Sequence, residues 1–292
     1  MELNRRTLLQ TAAWGAGALV LSPPRAIAAP SRYAKPSTMK LGTVTYNLAK
    51  DWDLDTLLAN CEKTKFEGVE LRTTHAHGVE VSLSKDERAA VKKKFANSPI
   101  ELIALGSAFD YHTPDQAKLR QDIEATKEYI LLAQDVGAPA VKVRPNGFPE
   151  NVPKDKTLEQ IGKSLHELAV FGQDHGVQLR LEVHGRETCQ LPHMRSIMDF
   201  ADHANVGVVW NCNSEDLAGE GFDANFRLVE HKMFQVHLKD LSDDGYPYRL
   251  LFQSLQRIGF TGYCCAEIGE SSDPIRLMQY YRALFLTYQD LL

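Results

Sequence analysis

Basic residues are in deficit. Lysine and arginine number 33 against 38 aspartates and glutamates, a formal charge of −5, and no basic stripe runs through the chain. Nucleic-acid affinity begins with cationic neutralisation of phosphates, so the balance argues against a nucleic-acid partner. Cysteine is also scarce. Cys61, Cys189, Cys212, Cys264 and Cys265 make an odd count without a CxxC pair, which argues against a disulfide scaffold or a thiolate zinc site and points to buried apolar thiols. Long apolar runs are missing: no segment reaches the ~20 residues a spanning helix needs, so no stable membrane anchor is expected. A glycine-rich phosphate turn is absent as well. After the first strand stands Tyr46-Asn47-Leu48-Ala49-Lys50, which speaks against a doubly wound nucleotide fold.

The first residues read as an address. Asn4-Arg5-Arg6-Thr7-Leu8-Leu9-Gln10 is a twin-arginine signature. An apolar run from Thr11 to Leu21 and a small-residue cleavage site, Ala26-Ile27-Ala28, follow in the right order. Residues 1–28 are therefore expected to be a signal peptide handed to the twin-arginine export machinery, with a periplasmic or otherwise exported destination. Residues 29–39 are read as a linker. Cleavage after Ala28 removes three arginines and one glutamate and leaves a charge of −7.

From residue 40 onward, strand-like and helix-like stretches alternate. Strands are expected at 40–47, 69–74, 100–107, 140–144, 177–184, 205–211, 233–238 and 262–267, each followed by an amphipathic stretch with helical spacing. Asp53 and Asp273-Pro274 open two of the helices. Eight such units in roughly 255 residues is the size of a TIM barrel. The expected fold class is therefore α/β, a (β/α)8 barrel forming a single domain over residues 40–292.

The clearest strand is Val177-Gln-Leu-Arg-Leu-Glu-Val-His184, flanked by Gly176 and Gly185. Val177, Leu179, Leu181 and Val183 share one face; Gln178, Arg180, Glu182 and His184 share the other. Parallel strands are covered by helices, so the apolar face points outward and the polar face into the barrel. The same phase puts Glu70 and Arg72, Lys142 and Arg144, Val209 and Asn211, Gln235, His237 and Lys239, and Tyr263, Cys265 and Glu267 inside, with Phe234, Val236 and Leu238 outside. Buried charges must be paired, metal-bound or met by a ligand. Glu70, Lys142 and Arg180 are read as an internal ion-pair layer. The groups nearer the strand C-termini stand where barrel enzymes carry their chemistry.

Glu182, Asn211, His237 and Glu267 end strands five to eight in succession. Two carboxylates, an amide oxygen and one imidazole suit Mn²⁺ or Mg²⁺ and accept Zn²⁺, Fe²⁺ or Co²⁺. One divalent ion is the expected cofactor, with Arg180 or Lys239 as the alternative source of positive charge between the carboxylates. His75 (with His77) and Arg144 lie on loops after strands two and four and are substrate-binding candidates. So are His184 and Lys239, beside Glu182 and near Glu267. Asp110, Tyr111 and His112 on the strand-three loop carry no assignment.

Gly68-Val-Glu-Leu-Arg72, Leu181-Glu-Val-His-Gly185, Val206-Gly-Val-Val-Trp-Asn-Cys-Asn213, Val236-His-Leu-Lys-Asp240 and Ala266-Glu267 resemble the xylose-isomerase-like TIM barrels, a family of sugar phosphate isomerases and epimerases. The resemblance covers about residues 40 to 290. It implies a metal held by Glu182, Asn211, His237 and Glu267, with both glutamates as acid and base. The family's usual residue at Asn211 is aspartate, and Asn213 is a substitute ligand. The resemblance further implies α-proton abstraction through an enediolate on a small carbohydrate. An exported protein meets few sugar phosphates, so an unphosphorylated sugar or keto-sugar is expected. Elimination from keto-glycosides or cyclitols at the same site is the alternative, followed by non-catalytic sugar binding. The oligomeric state is left open, a homo-oligomer included.

Overall fold

The computed structural model describes residues 39–291; the expected signal peptide and the linker up to residue 38 lie outside the described residues. Eight parallel strands close into a barrel in chain order, with β8 paired to β1. They are β1 Lys40–Val44, β2 Gly68–Arg72, β3 Glu101–Gly106, β4 Ala140–Val143, β5 Gln178–Glu182, β6 Val206–Trp210, β7 Met233–Leu238 and β8 Tyr263–Ala266. The helices are α1 Leu54–Thr64, α2 Lys85–Ala96, α3 Gln116–Val136, α4 Lys154–Asp174, α5 Leu191–Ala201, α6 Phe222–Val229, α7 Tyr248–Arg257 and α8 Pro274–Tyr288. The expected (β/α)8 barrel is thus observed; β7 has its expected bounds, β2 begins one residue early, and the other strand ends are within three residues of expectation. Among the described residues no helix is long and apolar enough to cross a membrane.

Local chemistry sets the helix ends. Asp53 accepts a hydrogen bond from the Thr56 amide at the start of α1. Ser84 and Glu87 form a reciprocal capping box on α2. Gly137 ends α3 in the left-handed region at φ 84°. Asp273 caps α8, with Pro274 at its first position.

Outward strand residues join one continuous core with the helices. Val69, Leu71, Val141, Val143, Leu179, Leu181, Val208 and Val236 all belong to it, and each is worth about 1.5–3 kcal/mol when fully buried. A small inner cluster of Val44, Ile103, Ala104, Ala140, Tyr263 and Cys265 fills part of the barrel. Cys264 and Cys265 fall on opposite sides of β8, and all five cysteines are free and buried, as expected.

Two bulges alter the inward pattern. Between β2 and β3 the register steps from Val69↔Leu102 to Glu70↔Ala104, leaving Ile103 as an extra residue. Its Cδ1 lies 2.5 Å from where a Cβ on Gly42 would be and 2.9 Å from one on Gly68. Between β6 and β7 the register steps from Val208↔Met233 to Val209↔Gln235, leaving Phe234 over. Its ring comes within 2.1 Å of a Cβ built on Gly207, a residue of β6's inward phase. Phe234, expected to face out, therefore faces in. A bulge inserts one residue and reverses the alternation locally. Both bulged side chains press on glycines near the N-terminal end of the barrel and leave the C-terminal end to polar groups.

Candidate metal centre

Four successive strand ends build the site. Glu182 is the last residue of β5, Asn211 follows β6, His237 is the fifth residue of β7, and Glu267 follows β8. The Glu267 amide donates to the Leu238 carbonyl at 2.8 Å, extending the ladder past β8 and fixing its position. Just after Asn211, Cys212 takes the left-handed conformation at φ 49°. The chain turns there, and Asn211 Nδ2 donates to the Val183 carbonyl at 3.3 Å while its Oδ1 is left without a partner. Asn211 lines the barrel mouth. Asn213 donates to the Val183 carbonyl at 2.6 Å and opens the turn Ser214–Leu217.

The two carboxylates are arranged alike. Lys142 Nζ lies 2.7 Å from Glu182 Oε2, and Lys239 Nζ lies 3.4 Å from Glu267 Oε2. The remaining oxygens face the imidazole: Glu182 Oε1 is 3.6 Å and Glu267 Oε1 3.9 Å from His237 Nδ1. One donor atom from each of Glu182, His237 and Glu267 lies within 4.8 Å of the others. Donors that share one ion at about 2.0–2.6 Å stand at most about 5 Å apart, so this trio meets the requirement. Two more observations bear on the fit. His237 Nδ1 and Asn211 Oδ1 are both buried without a hydrogen-bond partner, and a buried polar atom left unpaired costs about 1–3 kcal/mol. The trio, with Asn211 lining the same cavity, fits a divalent cation with oxygen and nitrogen donors.

Behind the imidazole stands Glu70. Its Oε2 is 3.0 Å from His237 Nε2 and accepts from Gln235 Nε2 at 2.6 Å, while Arg180 donates to Gln235 Oε1 at 2.7 Å. A carboxylate on Nε2 holds a proton there and turns Nδ1 to the mouth, so Nδ1 is the nitrogen that would give up its proton to a metal, an arrangement common to metal-ligating histidines. Gly106 gives this carboxylate room, since a Cβ there would sit 2.7 Å from Glu70 Oε1.

Burial works against the charges of His237 and Glu182, and the neighbours overrule it. For His237, desolvation disfavours the cation, yet the Glu70 charge, bonding with Glu182 and Glu70, and the Glu267 charge push its pKa up to about 10. For Glu182, desolvation raises the carboxyl, but Lys142 and His237 hold it well below the usual range. Burial holds His184 below the ordinary imidazole value.

The expected internal ion-pair layer is not what forms. Lys142 reaches up to Glu182, and Arg180 points to Gln235, Gln178 and the Ile103 carbonyl. Arg180 is therefore not the cation between the carboxylates; Lys142 pairs with Glu182 and Lys239 with Glu267, and the His237 ring stands between their Oε1 atoms. A cavity of about 100 Å³ opens at the mouth, lined by Tyr46, Arg72, Lys142, Arg144, Glu182, His184, Asn211, Lys239 and Glu267. Arg144, His184 and Lys239 thus meet around one space. His75 is not among its lining residues. It stands behind Arg72, with Nε2 3.2 Å from Arg72 Nη1 and Nδ1 3.1 Å from Thr45 Oγ1. Tyr46, Arg72 and Lys142 were not named as site residues from the sequence. The inward phase placed Arg72 and Lys142, and extending it along β1 from Val44 would have reached Tyr46.

Residues 58–284 match the family model described as xylose isomerase-like TIM barrel. Several solved structures share the fold. L-ribulose 3-epimerase aligns with a TM-score of 0.73 at 16% identity, covering 86% of this chain and 95% of that one. The IOLI protein with a bound zinc atom gives 0.72 at 18% identity, over 86% and 98%. The 3-keto-D-glucoside 4-epimerase YcjR from E. coli, in its apo form, gives 0.71 at 14%, over 85% and 99%. No curated protein matches the sequence.

Proposed function

The chain belongs to the xylose isomerase-like TIM barrel family, and on that footing we propose that it is a divalent-metal-dependent sugar isomerase or epimerase. One observation carries the reading. His237 Nδ1 and one oxygen each of Glu182 and Glu267 lie within 4.8 Å of one another at the C-terminal mouth of the barrel, where Asn211, its Oδ1 buried without a partner, lines the same cavity. Structures of the same fold include two sugar epimerases and a protein with a zinc atom, which supports both halves of the proposal.

Glu182, Asn211, His237 and Glu267 would hold the ion. When bound, a divalent ion supplies Lewis acidity toward a substrate carbonyl and its neighbouring hydroxyl. The chain's own residues do the rest. One of Glu182 and Glu267 takes the proton α to the carbonyl, leaving the substrate as an enediolate. The other returns a proton to the adjacent carbon or to the opposite face. Lys142 and Lys239 pair with the Oε2 atoms and leave the Oε1 atoms turned toward His237. His184, with its buried, unpartnered Nδ1, is poised to hydrogen-bond a substrate oxygen.

The test follows metal and proton separately. Calorimetry of the wild type with Mn²⁺, Mg²⁺, Zn²⁺, Fe²⁺ and Co²⁺ should find one tight site. Asn211→Asp, which adds a negative charge at the ligand, should tighten it. NMR in D₂O with free sugars and keto-glycosides should show deuterium entering an α-carbon beside a new isomer, and Glu267→Gln should abolish that exchange. Release of an aglycone would move the assignment to elimination. Absence of metal binding in both wild type and Asn211→Asp would sink the metal-enzyme reading in favour of sugar binding.

A further inference from the structure

The residues lining the mouth carry more positive charge than the proposed chemistry uses. Among them are four cations, Arg72, Lys142, Arg144 and Lys239, against two carboxylates, Glu182 and Glu267. The lysines are committed to the glutamates. The arginines are not: neither makes an ion pair among the described residues. Arg72 Nη1 meets only the His75 ring, and its guanidinium lies 5.9 Å from the centroid of Tyr46. Arg144 Nη2 donates to the Ala108 carbonyl at 3.0 Å, while its Nε is buried with no partner.

Carboxylates on the adjoining loops do not compensate them. Glu80 accepts from Thr73 Oγ1, the Thr74 amide and Tyr129. Asp110 is bound by Asn146 Nδ2 at 3.0 Å and His112 Nδ1 at 2.9 Å. Two half-buried guanidiniums without a carboxylate partner thus face one cavity in an otherwise acidic chain, open to an anion. Arg72 ends β2, two strands from β4, while Arg144 follows β4 and so stands beside β5, the strand that carries Glu182. A divalent ion would enlarge the surplus. Arginine's planar fork of donors matches oxyanions in particular.

We propose that the substrate is an acidic sugar whose oxyanion, a carboxylate or a phosphate, is held by Arg72 and Arg144 while its hydroxy-ketone end lies toward Glu182 and Glu267. This rests on the sugar isomerase reading and deepens it. The anion fixes the orientation of the chain of carbons across the mouth, so the same two residues select the substrate class and present the reacting carbon.

The test uses the full chain, saturated with the metal it binds most tightly, and two matched series: D-fructose, D-fructuronate and D-fructose 6-phosphate; D-glucose, D-glucuronate and D-glucose 6-phosphate. Calorimetry should show an acid bound at least tenfold more tightly than its neutral partner in one series. The carboxylate and phosphate arms distinguish the two oxyanions. Arg144→Gln and Arg72→Gln should each erase most of that preference, and Arg144→Lys should restore part of it, because it keeps the charge without the fork. Metal affinity within threefold of wild type in each variant shows that the barrel still folds. If no acid exceeds its neutral partner tenfold, or if the arginine variants leave the preference intact, the proposal is overturned. Metal bound without acid preference sinks this inference alone. Acid preference without metal sinks the isomerase reading and leaves the oxyanion site standing.

Discussion

At the scale of single residues, the site is defined by atoms lacking partners and by the groups that orient them. Glu70 illustrates the second kind. It touches neither the cavity nor a carboxylate of the mouth, yet its contact with His237 Nε2 at 3.0 Å decides which ring nitrogen faces Glu182 and Glu267. Outer partners of this kind are worth about 10–100-fold in metal affinity, so Glu70→Gln should weaken binding by that factor in calorimetry; unchanged affinity would remove Glu70 from the site. Asp216 shows what burial alone does. It accepts from Tyr246 Oη at 2.7 Å and the Asn213 amide at 2.9 Å, but its Oδ1 has no partner. Desolvation pushes its pKa up to about 7 against these bonds. The folded state therefore holds the proton more tightly than the unfolded chain, whose carboxyl titrates near 3.8. Stability from this group is present below that value and is lost as pH rises to about 7. The shift corresponds to roughly 4 kcal/mol at about 1.4 kcal/mol per unit. Asp216→Asn should gain stability relative to wild type between pH 4 and pH 7.5, read from urea denaturation at each pH. A difference that does not vary with pH would contradict this.

At the scale of elements, the loops after the strands position what the strands aim. Gly185 follows β5 at φ 92°, and a Cβ there would lie 2.2 Å from the Asn146 carbonyl oxygen. The β4 and β5 loops, which bear Arg144 and His184, thus meet backbone to backbone, and Asn146 is itself tied to Asp110 on the β3 loop. Gly176 offers the contrast: φ is 68°, but nothing lies within 4 Å of its Cβ position. Gly176→Ala should cost only about 1–2 kcal/mol for its left-handed backbone. Gly185→Ala adds a collision that backbone must absorb and should cost visibly more in urea midpoint, with weaker metal binding as Glu182 shifts. Equal midpoints would show that the two loops are not coupled through this contact. The bulges at Ile103 and Phe234 are the other element-scale device: each turns one large apolar side chain toward inward-phase glycines and fills the barrel beneath its polar layer.

At the scale of the molecule, the (β/α)8 barrel gathers eight distant stretches of chain into one mouth, and its helices supply the outer core. Ahead of the barrel, we propose that residues 1–28 act as a twin-arginine signal peptide, residues 29–39 as a linker, and that the barrel works outside the cytoplasm. Replacing Arg5 and Arg6 together with lysine should leave uncleaved precursor in the cytoplasm on fractionation. Export at the wild-type level would refute the route.

How much of this was legible beforehand depends on range. Strict alternation in Val177–His184 told the inward face from the outward one, because a regular strand repeats every two residues and parallel strands need an apolar outer face. Repeated over six of the eight strand stretches, it pointed to the four strand-end residues and the polar mouth, and the eightfold strand-helix alternation pointed to the barrel. Other features depend on contacts between segments far apart in sequence. Which lysine meets which carboxylate follows from strand register, so Lys142 rather than Arg180 faces Glu182. Asn211 and Asn213 share a phase in an extended strand, yet with the left-handed turn at Cys212 both amides end on the Val183 carbonyl and only Asn211 lines the cavity. Phe234 turned inward because a bulge, invisible to a two-residue period, advanced β7 by one residue. The sequence by itself determined the period, the faces and the residues at the strand ends. Tertiary structure decided the pairing of charges, because that pairing is a matter of register and closure around the barrel, which no single strand contains.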